Sequence, residues 1–301
     1  MPKYSISLAS FRKIEPIEST LSKLTLQGFD AVEMFGEPKE VDVRKLEDVL
    51  GMFGMPVCGI TGMWGRSSEE GWKRKLLSSD EGLVQSSIQY VHDCVKLCNL
   101  LDGEEMNICL FADDSSSFFD RTHNVFSQND KERLARKAVP VLADLSKFAS
   151  DYGVKLVLEP LNRYSTPHCS TAKDALAIVR QVNHDSLGML LDTFHMNIEE
   201  DSFEDAIRTA GEYLKHMHFA DNNRKMPGFG HIDFATIIRC LQETCYDGYI
   251  SFEPNIGDRG YEHATKSGLD FIRDLMDATN DDGDVGPKKS QQISSLSQEE
   301  A

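Results

Sequence analysis

At 301 residues the chain has room for one large core or two ordinary domains, and its 40% hydrophobic and 27% charged content is globular rather than disordered or fibrous. Its 49 acidic residues against 32 basic ones leave a net charge of -17, a field that repels phosphate backbones and anionic membranes, so the expected partners include no nucleic acid and no membrane. Seven scattered cysteines, an N-terminus without an apolar leader and the lack of any stretch near the roughly 18 apolar residues of a membrane span predict a reduced, cytoplasmic protein.

Eight short apolar runs alternate with longer helical patterns. The first, Tyr4 to Ala9, precedes a segment opened by Pro16, with Ile17, Leu21 and Leu24 at helical spacing and Gly28 placed as its C-cap. Runs at Ala31 to Phe35 and Val57 to Thr61 follow, then an insertion, Met63 to Asp80, that carries Trp64 and the cations Arg66, Lys73 and Arg74. The fourth run, Met106 to Phe111, leads into a second insertion, Ala112 to Asn129, with Phe118, Phe119 and His123. Asp130 is placed to cap a helix that holds Leu134, Leu142, Leu145 and Phe148 and ends near Gly153. The rest of the chain repeats the rhythm, with strands at Lys155 to Glu159, Leu187 to Asp192, Leu214 to Phe219 and Tyr249 to Glu253. Helices at Thr171 to Val182, Phe203 to Ala210 and Asp233 to Thr244 fill the gaps between them.

Most of these strands lack the polar alternation of a half-exposed sheet, as parallel strands covered on both sides do. Eight strand-helix units without a Pro/Gly-rich linker predict one (β/α)8 TIM barrel over residues 1–279, with 280–301 a flexible polar tail. Both insertions follow the C-terminal end of a strand, the face on which barrels build their sites, so Trp64 and His123 are placed to wall a pocket.

Three of the later strands end in an acid, Glu159, Asp192 and Glu253, and the seventh holds His218 in His-Met-His-Phe. Groups at strand ends of one barrel converge in space although they lie far apart in sequence. Three carboxylates and an imidazole, with no thiolate, suit a divalent cation of the Mn²⁺, Mg²⁺ or Co²⁺ type that keeps positions open for substrate. Around them stand polar groups suited to a sugar: Asn162 and Arg163 after Glu159, His195 three residues past Asp192, and Arg224 in Asn222-Asn223-Arg224, placed to hold a hydroxyl or an enolate oxygen. Glu33, in the second run, is placed to orient a cation or a water. Arg66, Lys73 and Arg74 offer a phosphate grip should the sugar be phosphorylated.

With Asp192-Thr193-Phe194-His195-Met196-Asn197-Ile198-Glu199-Glu200, the Asn222-Asn223-Arg224 run followed by Pro227-Gly228, and the acid endings Glu159 and Glu253, the chain resembles the xylose-isomerase-like barrels. Within them it is most similar to the ketose 3-epimerases acting on tagatose, psicose and related sugars. The resemblance implies that Glu159, Asp192, His218 and Glu253 bind the metal, with Mn²⁺ the first expectation. It implies that Glu159 and Glu253 are the acid/base pair that inverts a carbon beside a carbonyl through an enediolate, and that His195 and Arg224 hold sugar oxygens. It also implies a homodimer or homotetramer.

Two departures fall on the substrate side. The family pattern Glu-x-x-Asn-Arg-Phe/Tyr-Glu ends here in Ser165, and the loop after the fourth strand carries His123 in place of the usual small and aromatic residues. These leave room for a bulkier substrate, and hence for an alternative: a metal-dependent lyase that cleaves 3-keto-C-glycosides, resembling the large subunit of C-glycoside deglycosidases, with a small β-rich partner subunit. A non-catalytic sugar-binding protein is a further alternative.

Overall fold

The computed structural model describes residues 2–12, 14–63, 71–113, 128–166, 168–257 and 260–282. Eight parallel strands close in sequence order into a barrel: β1 (Lys3–Ser7), β2 (Ala31–Phe35), β3 (Val57–Thr61), β4 (Glu105–Ile108), β5 (Lys155–Leu158), β6 (Leu187–Asp192), β7 (Leu214–Phe219) and β8 (Tyr249–Phe252). The seam pairs β8 with β1, Tyr249 opposite Lys3 and Phe252 opposite Ile6. Around them lie α1 (Ile17–Gln27), α2 (Val43–Phe53), α3 (Glu81–Leu100), α4 (Gln128–Asp151), α5 (Ala172–Val182), α6 (Thr193–Glu199), α7 (Phe203–Ala210), α8 (Phe234–Glu243) and α9 (Glu262–Asp282).

Local chemistry sets the helix ends. Side chains of Asp42, Asp80, Thr171, Ser202 and Asp233 accept from the first free backbone N–H groups of α2, α3, α5, α7 and α8. Gly28 closes α1 in the left-handed region at φ 90°, where a Cβ would be strained. Helix α4 is described from Gln128, which places Asp130 inside the helix rather than ahead of it. Helix α9 runs to Asp282, and residues 283–301 lie outside the described residues.

The core is divided unequally between the two faces of the sheet. Ile6, Val32, Ile60, Met106, Leu156, Leu191, Met217 and Phe252, all buried, belong to one apolar cluster with helix residues such as Leu21, Val91, Leu142 and Ile237. The alternate strand positions are polar and equally buried: Ser5, Ser7, Glu33, Asn107, His216, His218 and Ser251. Barrel interiors are ordinarily filled by branched apolar side chains. Here hydrogen bonds knit it instead, from Ser251 Oγ to Glu33 Oε2 at 2.9 Å and between Ser7 and Thr61 hydroxyls at 3.1 Å. The expectation of strands without alternation therefore holds poorly for β1, where every second residue is polar, and for β7, where His216 and His218 flank Met217.

Candidate metal centre

Glu159, Asp192, His218 and Glu253 stand at the C-terminal ends of β5 to β8. Sheet hydrogen bonds fix their level, with Glu159 N–H donating to Ile108 O at 3.0 Å and Glu253 N–H donating to Phe219 O at 3.1 Å. Asp192 lies opposite His218 in the β6–β7 register, beside a register shift between Met189 and Leu190. All four side chains are buried, Glu159 and His218 completely. Ligand atoms of Asp192, His218 and Glu253 lie within 4.8 Å of one another, as do those of Glu159, Asp192 and His195, and those of Glu33, His216 and His218.

Each ligand-type side chain is oriented by a second group. His218 Nε2 donates to Glu33 Oε2 at 2.9 Å, which turns Nδ1 toward Glu253 Oε2 at 3.4 Å and Glu159 Oε1 at 3.9 Å. Carboxylate-held imidazoles of this kind are the usual supports of metal-bound histidines. Asp192 divides its oxygens: Oδ1 caps α6 by accepting from Phe194 N–H at 2.8 Å, while Oδ2 meets the Arg224 guanidinium. Glu159 Oε2 accepts from Asn107 Nδ2 at 2.6 Å. Arg224, with φ 58°, bridges Asp192 and Glu253.

The residues fit a divalent cation by a test of their own. Glu159 Oε1 and His218 Nδ1 are buried without a well-formed hydrogen bond, a state that costs about 1–3 kcal/mol per polar group unless an ion or water compensates. An oxygen-rich set with one imidazole is the donor chemistry that hard and borderline cations take. Electrostatics agree. Burial, with the charges of Asp192 and Glu253 beside it, pushes the Glu159 carboxyl up to about 7. Burial would lower His218, yet Glu33 and Glu253 raise its proton affinity well above the ordinary histidine range. Burial would raise Asp192, yet Arg224, His195 and His218 hold it below the usual carboxylate range. A ring of acids that attracts a proton this strongly attracts a cation for the same reason.

A cavity of about 540 Å³ opens over the site, lined among others by Ser10, Asn162, Ser165, Phe194, His195 and Arg224. His195 Nδ1 accepts the backbone N–H of Asn162 at 3.1 Å, so the neutral ring carries its proton on Nε2. That nitrogen lies 3.8 Å from Glu159 Oε1 and 4.0 Å from Asp192 Oδ2. Burial keeps His195 neutral, lowering its pKa to about 4. Ser165, where the resemblance expects an acid, is part of the cavity wall.

Of the sequence-derived candidates, the structure thus brings Glu159, Asp192, His218, Glu253, His195, Asn162 and Arg224 together. Trp64 and His123 fall outside the described residues, as does Arg66. Arg74 is no phosphate grip: it is buried, forms a two-pronged ion pair with Glu37 at 3.0 and 2.6 Å, and lies 3.8 Å over the Tyr90 ring. Sequence reasoning missed Asn107, Cys109 and His216. Their signal is period two: Asn107 and Cys109 share a strand face, as do His216 and His218.

Among the described residues no helix is long and apolar enough to cross a membrane. The sequence profile of the xylose isomerase-like TIM barrels matches residues 23–275. D-psicose 3-epimerase of Ruminiclostridium cellulolyticum is 32% identical over 238 residues, 78% of this chain and 76% of its own. D-psicose 3-epimerase of Enterocloster bolteae is 29% identical over 293 residues, 93% of this chain and 91% of its own. The crystal structure of D-psicose 3-epimerase with D-tagatose from Clostridium cellulolyticum superposes with a TM-score of 0.73 at 26% identity, covering 91% of this chain and 99% of that one. With the geometry above, these likenesses mark a metal-binding enzyme of the epimerase and isomerase type: the chain belongs to the xylose isomerase-like TIM-barrel family.

Proposed function

We propose that the chain is a Mn²⁺-dependent ketose 3-epimerase in which Glu159 and Glu253 exchange the proton of a carbon next to the sugar carbonyl. One observation carries this reading: two buried glutamates end non-adjacent strands beside a histidine whose Nε2 is locked by Glu33, all under one pocket. Glu159, Asp192, His218 and Glu253 would hold the cation. Bound there, it would supply Lewis acidity that makes the carbon next to a carbonyl more acidic.

The protein's own groups do the rest. One glutamate takes the proton and the other returns one to the opposite face, which inverts the carbon; two carboxylates suffice because each acts once per turnover. The Nε2–H of neutral His195 donates to a sugar oxygen on which negative charge grows, and burial keeps it a donor without charge. Arg224 adds a fixed positive charge beside Asp192 and Glu253. Asn162 holds His195 and reaches the pocket wall.

Ser165 on that wall supports a second reading, in which the substrate is a 3-keto-C-glycoside: one carboxylate takes the C2 proton, the bond from C1 to the aglycone breaks to leave a C1–C2 double bond beside the ketone, and the other carboxylate gives its proton to the aglycone carbon. One experiment separates the two. The purified protein, stripped with EDTA and reloaded with Mn²⁺, is incubated in D₂O with ketohexoses and, in parallel, with 3-keto-C-glucosides that carry a phenolic aglycone. Deuterium at C3 of an inverted ketose, absent before reloading, is the expected result. Release of the phenol with no ketose exchange would replace the epimerase reading by the lyase one.

A further inference from the structure

We infer that Asn107 is a positioning residue for the metal centre proposed above: from β4 it pins one oxygen of Glu159 to the barrel wall, so that the other oxygen alone faces the site. The register places it there. Asn107 pairs with Val157 and Ile108 with Leu158, which brings the β4 residues that face the barrel interior alongside the end of β5. Asn107 Nδ2 donates to Glu159 Oε2 at 2.6 Å, and the Cys109 thiol, two residues on, lies 3.5 Å from the same oxygen and 3.5 Å from Asn107 Oδ1. Asn107 is 1% exposed, Glu159 and Cys109 0%.

A carboxylate on its last torsion has a broad, two-fold preference and exchanges its oxygens freely. A charge-assisted bond from a buried amide removes that freedom. With Oε2 taken, Oε1 is the oxygen left without a hydrogen bond, 3.8 Å from His195 Nε2 and 3.9 Å from His218 Nδ1. Glu159 therefore presents a single oxygen, already aimed, to whatever occupies the centre. Glu253 is held differently: its Oε2 meets Arg224 and His218, and its side chain is 11% exposed toward the pocket. The two glutamates are thus not interchangeable, and the difference comes from Asn107. Asn107 acts on the centre through Glu159.

The inference rests on the proposed metal centre, and the test keeps the two apart. Mn²⁺ dissociation constants are measured by calorimetry for the parent, for Asn107→Asp, which keeps the shape but turns the donor into an oxygen, and for Asn107→Leu, which removes the donor without adding charge. The expected result is Mn²⁺ binding weakened about 10–100-fold in whichever variant folds by circular dichroism, with kcat at saturating Mn²⁺ reduced and the sugar KM little changed. A purely structural role would lower the melting temperature and leave the Mn²⁺ constant where it was. Folded variants that bind Mn²⁺ within twofold of the parent overturn the inference while leaving the metal centre standing. A parent chain that binds no Mn²⁺ overturns both.

Discussion

The two halves of the barrel divide the work. From β5 onward, four successive strands end in ligand-type side chains, and the loops behind them add Asn162, His195 and Arg224. The first half contributes counter-groups: Glu33 from β2 holds His218 and is itself bonded by Ser251 of β8, while Asn107 from β4 and Cys109 just past that strand hold Glu159. Beyond these, the first half ties its own loops together, Arg74 of the third βα loop to Glu37 of the second. The contrast teaches that a reactive set is legible in one stretch of sequence, while the groups that aim it come from strands of the other half, one of them the neighbour β4 and one of them the more distant β2.

The division can be broken at several points. The largest effect is expected in the second half, where Glu253→Gln lowers exchange of the C3 proton by about 10²–10⁴-fold, the usual worth of a positioned acid or base; deuterium uptake by the sugar reads it directly. In the first half, Arg74→Leu removes the two-pronged partner of buried Glu37, leaves it Arg12 at 3.9 Å, and costs about 1–3 kcal/mol of stability, read by urea denaturation, with Mn²⁺ affinity unchanged. A fall in Mn²⁺ affinity there would show the halves to be coupled. Glu33→Gln crosses the boundary: His218 loses its anchoring carboxylate, and Mn²⁺ binding weakens about 10–100-fold in calorimetry.

The smallest effect lies in the loop between β1 and α1. Burial would raise the Glu15 carboxyl, but hydrogen bonds from Tyr261, Lys23 and Ser19 bring it down to about 2 from 4.5. A carboxyl lowered on folding stabilises above its unfolded value and loses that contribution as pH falls through the folded one. Glu15→Gln should therefore reduce the urea midpoint at pH 7 and converge with the parent as the pH drops from about 4.5 to about 2.

The barrel itself was largely legible. Strands β2, β3, β6 and β7 occupy the residues that their apolar runs mark, and Phe203–Ala210 forms the helix its spacing predicts. β4 stops at Ile108 rather than Phe111, since sheet pairing ends where the chain turns into the loop. The acids at strand ends were legible too, because an apolar run that stops at a carboxylate needs no partner to be noticed. Asn107 was not. An amide inside a short strand has no meaning until β4–β5 register puts it 2.6 Å from Glu159. Arg74 was misread for the same reason: a cation in an insertion looks solvated until its partner Glu37 is located. Pairwise contacts across the chain are a property of register, which one sequence states only indirectly.

Arg224 carries a last consequence. Its guanidinium bridges Asp192 and Glu253 within the folded chain, so three clustered carboxylates have a counter-charge built into the protein. Small zinc domains lack such a device and stay unfolded until their ion arrives. A barrel with an internal neutraliser can fold on the ribosome's schedule and acquire its ion afterwards, which makes the metal it carries a matter of cellular supply and exchange rather than of folding history.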